Sequence, residues 1–161
     1  MSLLIRAARP GEAGLVLSFV RELAEYEKLS HEVEATEAMI AEALFAEHPR
    51  LFGALAEWNG EAVGFAVWFV NFSTFSGRHG VYLEDLYVRP SHRGKGIGKA
   101  LLSHVAKQCV ATGGTRLQWA VLDWNAPSIA FYKSLGAVMM DDWTLCRVTG
   151  AALTRLAEEA S

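Results

Sequence analysis

Residues 93–98, Arg93-Gly94-Lys95-Gly96-Ile97-Gly98, follow a strand-like run from Val81 to Val88 and a break at Pro90. Glycines two apart let backbone N–H groups approach an anion with no Cβ in the way, and a helix opening there adds the positive end of its dipole. Arg93, Lys95 and Lys99 bring charge to the same place. The combination reads as a pyrophosphate cradle; the plainer alternative is a glycine-rich strand-to-helix turn with no ligand. Two better-known nucleotide loops are excluded by spacing. A dinucleotide fingerprint needs G-x-G-x-x-G, yet Lys99 stands three residues after Gly96, and no acidic residue about 20 positions on closes a second strand. A P-loop needs G-x-x-x-x-G-K-[ST], and five residues after Gly94 stands Lys99.

The strand leading into the cradle carries Glu84 and Asp85 side by side. Side chains alternate along a regular strand, so the two carboxylates face opposite sides and serve one pocket only if a bulge intervenes. Read alone, Glu84 is a general base, an exposed charge or an arginine's partner. Asp85 attracts a cationic substrate at a neighbouring subunit's edge or caps a turn. Asn125, ahead of a helix, is suited to an N-cap. Cys109 and Cys146 lie among apolar residues on separate predicted elements and read as core thiols. His31, His48, His79, His92 and His104 form no His-x-x-x-His pair, so no metal site is expected.

These groups need one scaffold. The chain has 161 residues, enough for a single domain over 1–161 with a real core. An apolar content of 52% and a formal charge of −3 argue against disorder and against a nucleic-acid surface. Apolar runs such as Val63 to Val70 are far below the roughly 20 residues of a membrane span. Arg6 and Arg9 interrupt any signal-peptide pattern, which makes the cytoplasm the expected location.

Leu3 to Ala8 reads as a strand, and Glu12 to Tyr26 as a helix with Leu15, Val16, Phe19, Val20 and Leu23 at helical spacing. Thr36 is a candidate N-cap for a second helix with Met39, Ile40, Ala43 and Leu44 inward. Asn59-Gly60 predicts a tight turn joining Leu51–Trp58 to Ala62–Asn71. Gly80 to Val88 is the next strand, and the helix after the cradle is expected over Ile97–Ala111, ended by Gly113-Gly114. A strand at Leu117–Leu122, a short helix at Ala126–Leu135 and one or two strands within Ala137–Val148 complete a mixed α/β pattern.

Arg-Gly-x-Gly-Ile-Gly at 93–98 resembles the acyl-coenzyme A loop of the GNAT N-acetyltransferase superfamily. Ala120-Val121-Leu122-Asp123-Trp124-Asn125, then Pro127-Ser128, Phe131-Tyr132-Lys133 and Leu135-Gly136-Ala137, resembles that superfamily's last motif block. Tyr82-Leu83-Glu84-Asp85-Leu86-Tyr87-Val88, with 24–28 and Glu47-His48-Pro49, is similar to its diamine (spermidine/spermine) and thialysine acetyltransferase group. The resemblance implies a mixed, mostly antiparallel twisted sheet flanked by helices, with strands splayed at the cofactor site. It also implies acetyl-CoA as co-substrate, a small-molecule primary amine as acceptor and a homodimer.

Acetyl transfer to an alkylamine requires removal of a proton, because the amine's pKa is about 10.4. By resemblance Glu84 is the general base, directly or through water, and Tyr132 donates a proton to the departing thiolate. Packing of Tyr132 against Phe131 is the structural alternative. The backbone of Leu86, Tyr87 and Val88, the cradle from Arg93 to Lys99, and Asn125, Pro127 and Ser128 are expected to hold the cofactor. Substrate contacts are expected from Tyr26, Glu27, Glu84, Asp85, Gln118, Trp119 and Ala120. Ser73 and Thr74 join them, as neutral hydroxyls that tolerate an amino acid's carboxylate where polyamine enzymes tend to have Asp-Pro, with Arg78 as a possible partner for that carboxylate. Glu27 is otherwise a solvated helix-end charge, and Ser73-Thr74 otherwise part of a loop. An acetyltransferase for a protein N-terminus or an aminoglycoside, and a non-catalytic acyl-CoA sensor, are the rival functions; retention of both Glu84 and Tyr132 argues against the sensor.

Overall fold

The computed structural model describes residues 2–161. In chain order it contains β1 (Leu3–Ala7), α1 (Ala13–Tyr26), α2 (Glu37–Phe45), β2 (Phe52–Trp58), β3 (Glu61–Ser73), β4 (Arg78–Val88), α3 (Ile97–Ala111), β5 (Leu117–Gln118), α4 (Ala126–Ser134) and α5 (Gly150–Glu158). The strands form one sheet in the order β1-β2-β3-β4-β5. All neighbours are antiparallel except β5, which runs parallel to β4. This is the mixed, mostly antiparallel sheet the sequence implied. The chain forms two compact units, one ending at Leu122 and the other covering Asp123–Ser161.

In the first unit the apolar positions of α1 meet one face of the sheet. Val16, Phe19, Leu44, Leu55, Phe65, Val67 and Tyr87 form a buried cluster, with Phe19 stacked on Phe65 at 5.5 Å between centroids. Trp68 follows Val67 and so faces the other side of the sheet, where His104 of α3 meets its ring at 6.0 Å. Ile97, Leu101, Leu102, Val105 and Cys109 are the buried stripe of α3.

Local signals set several boundaries. Thr36 accepts from the Met39 amide at 3.3 Å and starts α2. Asn59 and Gly60 both have positive φ, 51° and 85°, as the β2–β3 turn demands. At the end of α1 the Leu29 amide donates to Ala24 at 2.7 Å across Lys28, which adopts φ 62°.

Four expectations are corrected. Met39 points outward, 60% exposed, because α2 is short and only Leu44 is fully buried on it. Cys146 is exposed, whereas Cys109 is the core thiol expected. The strand placed at Leu117–Leu122 stops at Gln118: its partner β4 is interrupted two residues past Tyr82, and pairing does not resume. No strand forms between Ala137 and Thr149, although the composition of that segment suits one.

Candidate active site

The interruption in β4 is a bulge. Val67 pairs with Asp85 and the next residue, Trp68, with Leu83, so Glu84 is an extra residue with no opposite partner. Before the bulge, Tyr82 lies beside Phe69, their rings 5.2 Å apart. After it, Asp85 and Tyr87 are opposite Val67 and Phe65 on the α1 side of the sheet. The extra residue therefore brings Glu84 and Asp85 to the same side, which corrects the expectation that they face apart.

The electrostatics agree with that geometry. The Asp85 carboxyl is raised from 3.8 to about 7, first by burial and then by repulsion from Glu84 and Glu27. Glu27 caps the C-terminal end of α1, and burial lifts its carboxyl too. Burial and the charge of Glu84 raise the Tyr82 phenol. Three carboxylates thus converge where a cation would relieve their mutual repulsion.

An ion pair the sequence did not reveal holds α1 in register with β4. Arg89 donates from Nε to Glu22 at 3.1 Å, from Nη2 to Glu22 at 3.2 Å and from Nη1 to the Ala62 carbonyl at 3.1 Å, and it lies over the Phe19 ring. Only its place one residue after the strand, ahead of Pro90, hinted at such a role.

The cradle is built on two left-handed glycines, Gly94 at φ 79° and Gly96 at φ 80°, the latter being the N-cap of α3. A Cβ on either would meet no protein atom within 4 Å and would project into open space above the loop. That space and the N-terminus of a 15-residue helix suit a phosphate group, so the residues present fit the coenzyme. Gly98 is different: its Cβ would only touch Val88 at 3.9 Å.

The basic residues of the loop are partly engaged with protein. Arg93 donates from Nε to the Val88 carbonyl at 2.9 Å and lies 4.8 Å from the Tyr26 ring and 5.6 Å from the Tyr87 ring. It thereby ties the cradle to the end of α1. Lys95 lies over Trp58 at 5.2 Å, and Lys99 is exposed. Leu86, Tyr87 and Val88 pair with β3 along one edge only. Their other edge carries no strand among the described residues, since β5 reaches only Val81 and Tyr82. The Tyr87 ring belongs to the core, leaving its backbone for recognition.

Of the remaining substrate candidates, Gln118 accepts from Asn71 at 3.4 Å, and Trp119 and Ala120 follow the end of β5. Ser73 and Thr74 are not brought to the carboxylates. Ser73 pairs with Arg78 at the far end of the hairpin, six residues from Glu84 and so roughly 20 Å along the strand. Its hydroxyl accepts from the Ser76 amide at 3.3 Å, as a turn-builder would. In the second unit, Asn125 is 6% exposed and caps α4 by accepting from the Ser128 amide, with Pro127 in the first turn. Tyr132 lies on α4 with its ring 5.5 Å from that of Phe131. No group of His, Cys, Asp or Glu suited to a metal ion occurs among the described residues.

The sequence matches the acetyltransferase (GNAT) family profile over residues 17–137. The chain belongs to the GNAT acetyltransferase family. Like other members of the GNAT family, it is an N-acetyltransferase. It is 38% identical to a thialysine N-epsilon-acetyltransferase of Sus scrofa, over 97% of this chain and 98% of that protein. It is 31% identical to an L-ornithine N5-acetyltransferase of Arabidopsis thaliana, over 92% and 85% of the two chains. In structure it is similar to an integron cassette protein from the mobile metagenome of V. cholerae, with a TM-score of 0.80, 30% identity and coverage of 99% of each chain. Acetyltransferases of this family use acetyl-CoA, and in this chain the bulged β4 leads directly into the glycine cradle.

Proposed function

We propose that this enzyme acetylates the side-chain primary amine of a small amino acid such as thialysine, using acetyl-CoA, and that 1–161 acts as one catalytic domain in a cytoplasmic homodimer. The observation that carries the reading is the convergence of Glu27, Glu84 and Asp85 at the bulge, beside relatives that act on thialysine and ornithine. An ammonium group neutralises that cluster. An α-carboxylate is repelled by it, so an amino acid enters side chain first.

Acetyl-CoA supplies an activated acyl group and a thiolate leaving group. The Gly94–Lys99 amides and the α3 N-terminus would hold its pyrophosphate and the backbone of Leu86–Val88 would pair with its amide arm, and by family resemblance Asn125, Pro127 and Ser128 would add contacts. The ammonium must lose its proton before it attacks. Passing a proton from an amine near 10.4 to an ordinary carboxylate near 4.3 costs about 8 kcal/mol. Passing it to a carboxyl at about 7 costs about 5 kcal/mol. The Glu84–Asp85 pair is therefore the base, Glu84 meeting the amine and buried Asp85 raising the pair's proton affinity. By family resemblance Tyr132 would be the acid for the departing thiolate.

Thiol release from acetyl-CoA, followed with thialysine, ornithine, lysine, spermidine, spermine and an aminoglycoside, tests this. Thialysine or ornithine should give the highest kcat/KM. Efficient spermine acetylation with no thialysine turnover would return the enzyme to polyamines, and no release with any amine would refute the activity.

A further inference from the structure

The first unit has an aromatic corner that the proposed reaction does not use. Phe52 of β2 is the antiparallel partner of Trp68 of β3, and their rings stack at 6.4 Å between centroids. His104 of α3 closes the corner, edge-on to Trp68. Beside it lies a cavity of about 260 Å³. Leu44 and Phe45 of α2 join Phe52 and Trp68 as its apolar wall, and His104 and Gln108, one turn apart on α3, supply polar groups. Space remains because Ala7, Ala8 and Gly53, where β1 ends beside β2, contribute a methyl group or less.

The polar groups at this cavity are unused. Among the described residues the Trp68 indole N–H, the His104 imidazole and the Gln108 carboxamide make no hydrogen bond. Trp68 is 7% exposed, and an indole N–H that deep calls for an acceptor. Burial, then the charge of Lys107, lowers the His104 pKa below its usual 6.5, so at pH 7 the neutral ring offers one donor and one acceptor. No lining residue is charged at that pH. A charged guest would lose its hydration with no counter-charge to replace it, whereas a flat neutral one gains the aromatic wall. A cavity of about 150 Å³ holds a benzene ring; this one has room for two fused rings.

We propose that this cavity is a second ligand site, taking a neutral fused bicyclic aromatic that carries a hydroxyl group. The rings lie against Phe52 and Trp68, and the hydroxyl donates to the unprotonated nitrogen of His104 while accepting from Trp68 or Gln108. Occupancy reaches the catalytic strand, because Trp68 pairs with Leu83, the residue just before the extra Glu84. That consequence rests on the base reading above; the binding itself does not.

Heteronuclear NMR of the full-length protein, titrated at pH 7 with 2-naphthol, tests the site. The Trp68 indole N–H and the Leu83 and Glu84 amides should shift along one saturable curve, with a Kd of about 1 mM or tighter. The same rings bearing a carboxylate, 2-naphthoate, should bind about tenfold more weakly or worse. His104→Phe keeps a ring on Trp68 and removes both nitrogens, so 2-naphthol affinity should fall about fivefold or more. Ala8→Leu fills the space and should abolish the saturable shift, with acetyl-CoA binding retained in both variants as the check on folding. No saturable shift in the wild type, binding of 2-naphthoate as tight as that of 2-naphthol, or wild-type affinity in both variants overturns the site. A saturable shift of Trp68 that leaves Leu83 and Glu84 unmoved overturns the link to the catalytic strand. None of these readouts depends on which amine the enzyme acetylates.

Discussion

Replacing Asp85 by Asn should make the protein more stable and less active, in amounts that follow from one carboxyl. Asp85 is raised from 3.8 to about 7 by burial and by Glu84 and Glu27. Between those values the folded protein retains a proton that the unfolded chain has released, so stability falls as pH rises through this window. The difference of about three units, at about 1.36 kcal/mol per unit, amounts to at most about 4 kcal/mol above pH 7. Asparagine keeps the shape and removes the charge. Denaturant unfolding at pH 8 should show Asp85→Asn more stable than wild type, with the gap closing below pH 4. On the proposed reading this carboxyl limits catalysis in the opposite sense, because the Glu84–Asp85 pair accepts the substrate's proton only once it is fully ionised. Wild-type kcat/KM should rise with pH through an apparent pKa near 7, with Glu84 and Glu27 as the charges acting on that carboxyl. Asp85→Asn should lose that limb and about 10²–10⁴ in rate. A variant that is less stable at pH 8, or that keeps both wild-type rate and profile, would refute the part given to Asp85 in the Glu84–Asp85 base.

Gly96→Val places a β-branched residue at φ 80° and fills the open space above the cradle; calorimetry should show acetyl-CoA affinity lowered by about tenfold or more in a folded protein. Tyr132→Phe should lower kcat by about 10²–10⁴ with acetyl-CoA affinity unchanged, and equal turnover numbers would remove the acid role. The Glu12 carboxyl is held at about 2, chiefly by its hydrogen bonds to Arg6 at 2.7 and 2.8 Å. Its contribution is present above pH 4.5 and disappears as pH falls toward 2, so Glu12→Gln should lower Tm at pH 7 and flatten its decline in acid.

What the sequence revealed was local. Thr36, Asn59-Gly60 and the Ile97–Ala111 stripe each signal through a neighbour a few residues away, and each appears in the structure where the pattern placed it. The bulge at Glu84 depends on how Val67 and Trp68 of β3 meet β4, a register that no single segment encodes. For the same reason the clustering of Glu84, Asp85 and Glu27 could be named from family resemblance but not from strand alternation. The stacking of Arg93 on Tyr26 and the Arg89–Glu22 bridge join residues more than 60 positions apart and left no periodic trace. The length of β5 was overestimated because Leu117–Leu122 has strand composition, whereas pairing depends on the edge offered by β4.

Fragment mass spectrometry of the product formed from thialysine and acetyl-CoA tests the central claim most directly. On the proposed reading the carboxylate cluster admits an ammonium and repels an α-carboxylate, so the acetyl group should be found on the side-chain nitrogen alone. Acetylation of the α-amine, or the absence of any acetylated product from a folded, acetyl-CoA-binding protein, would contradict it.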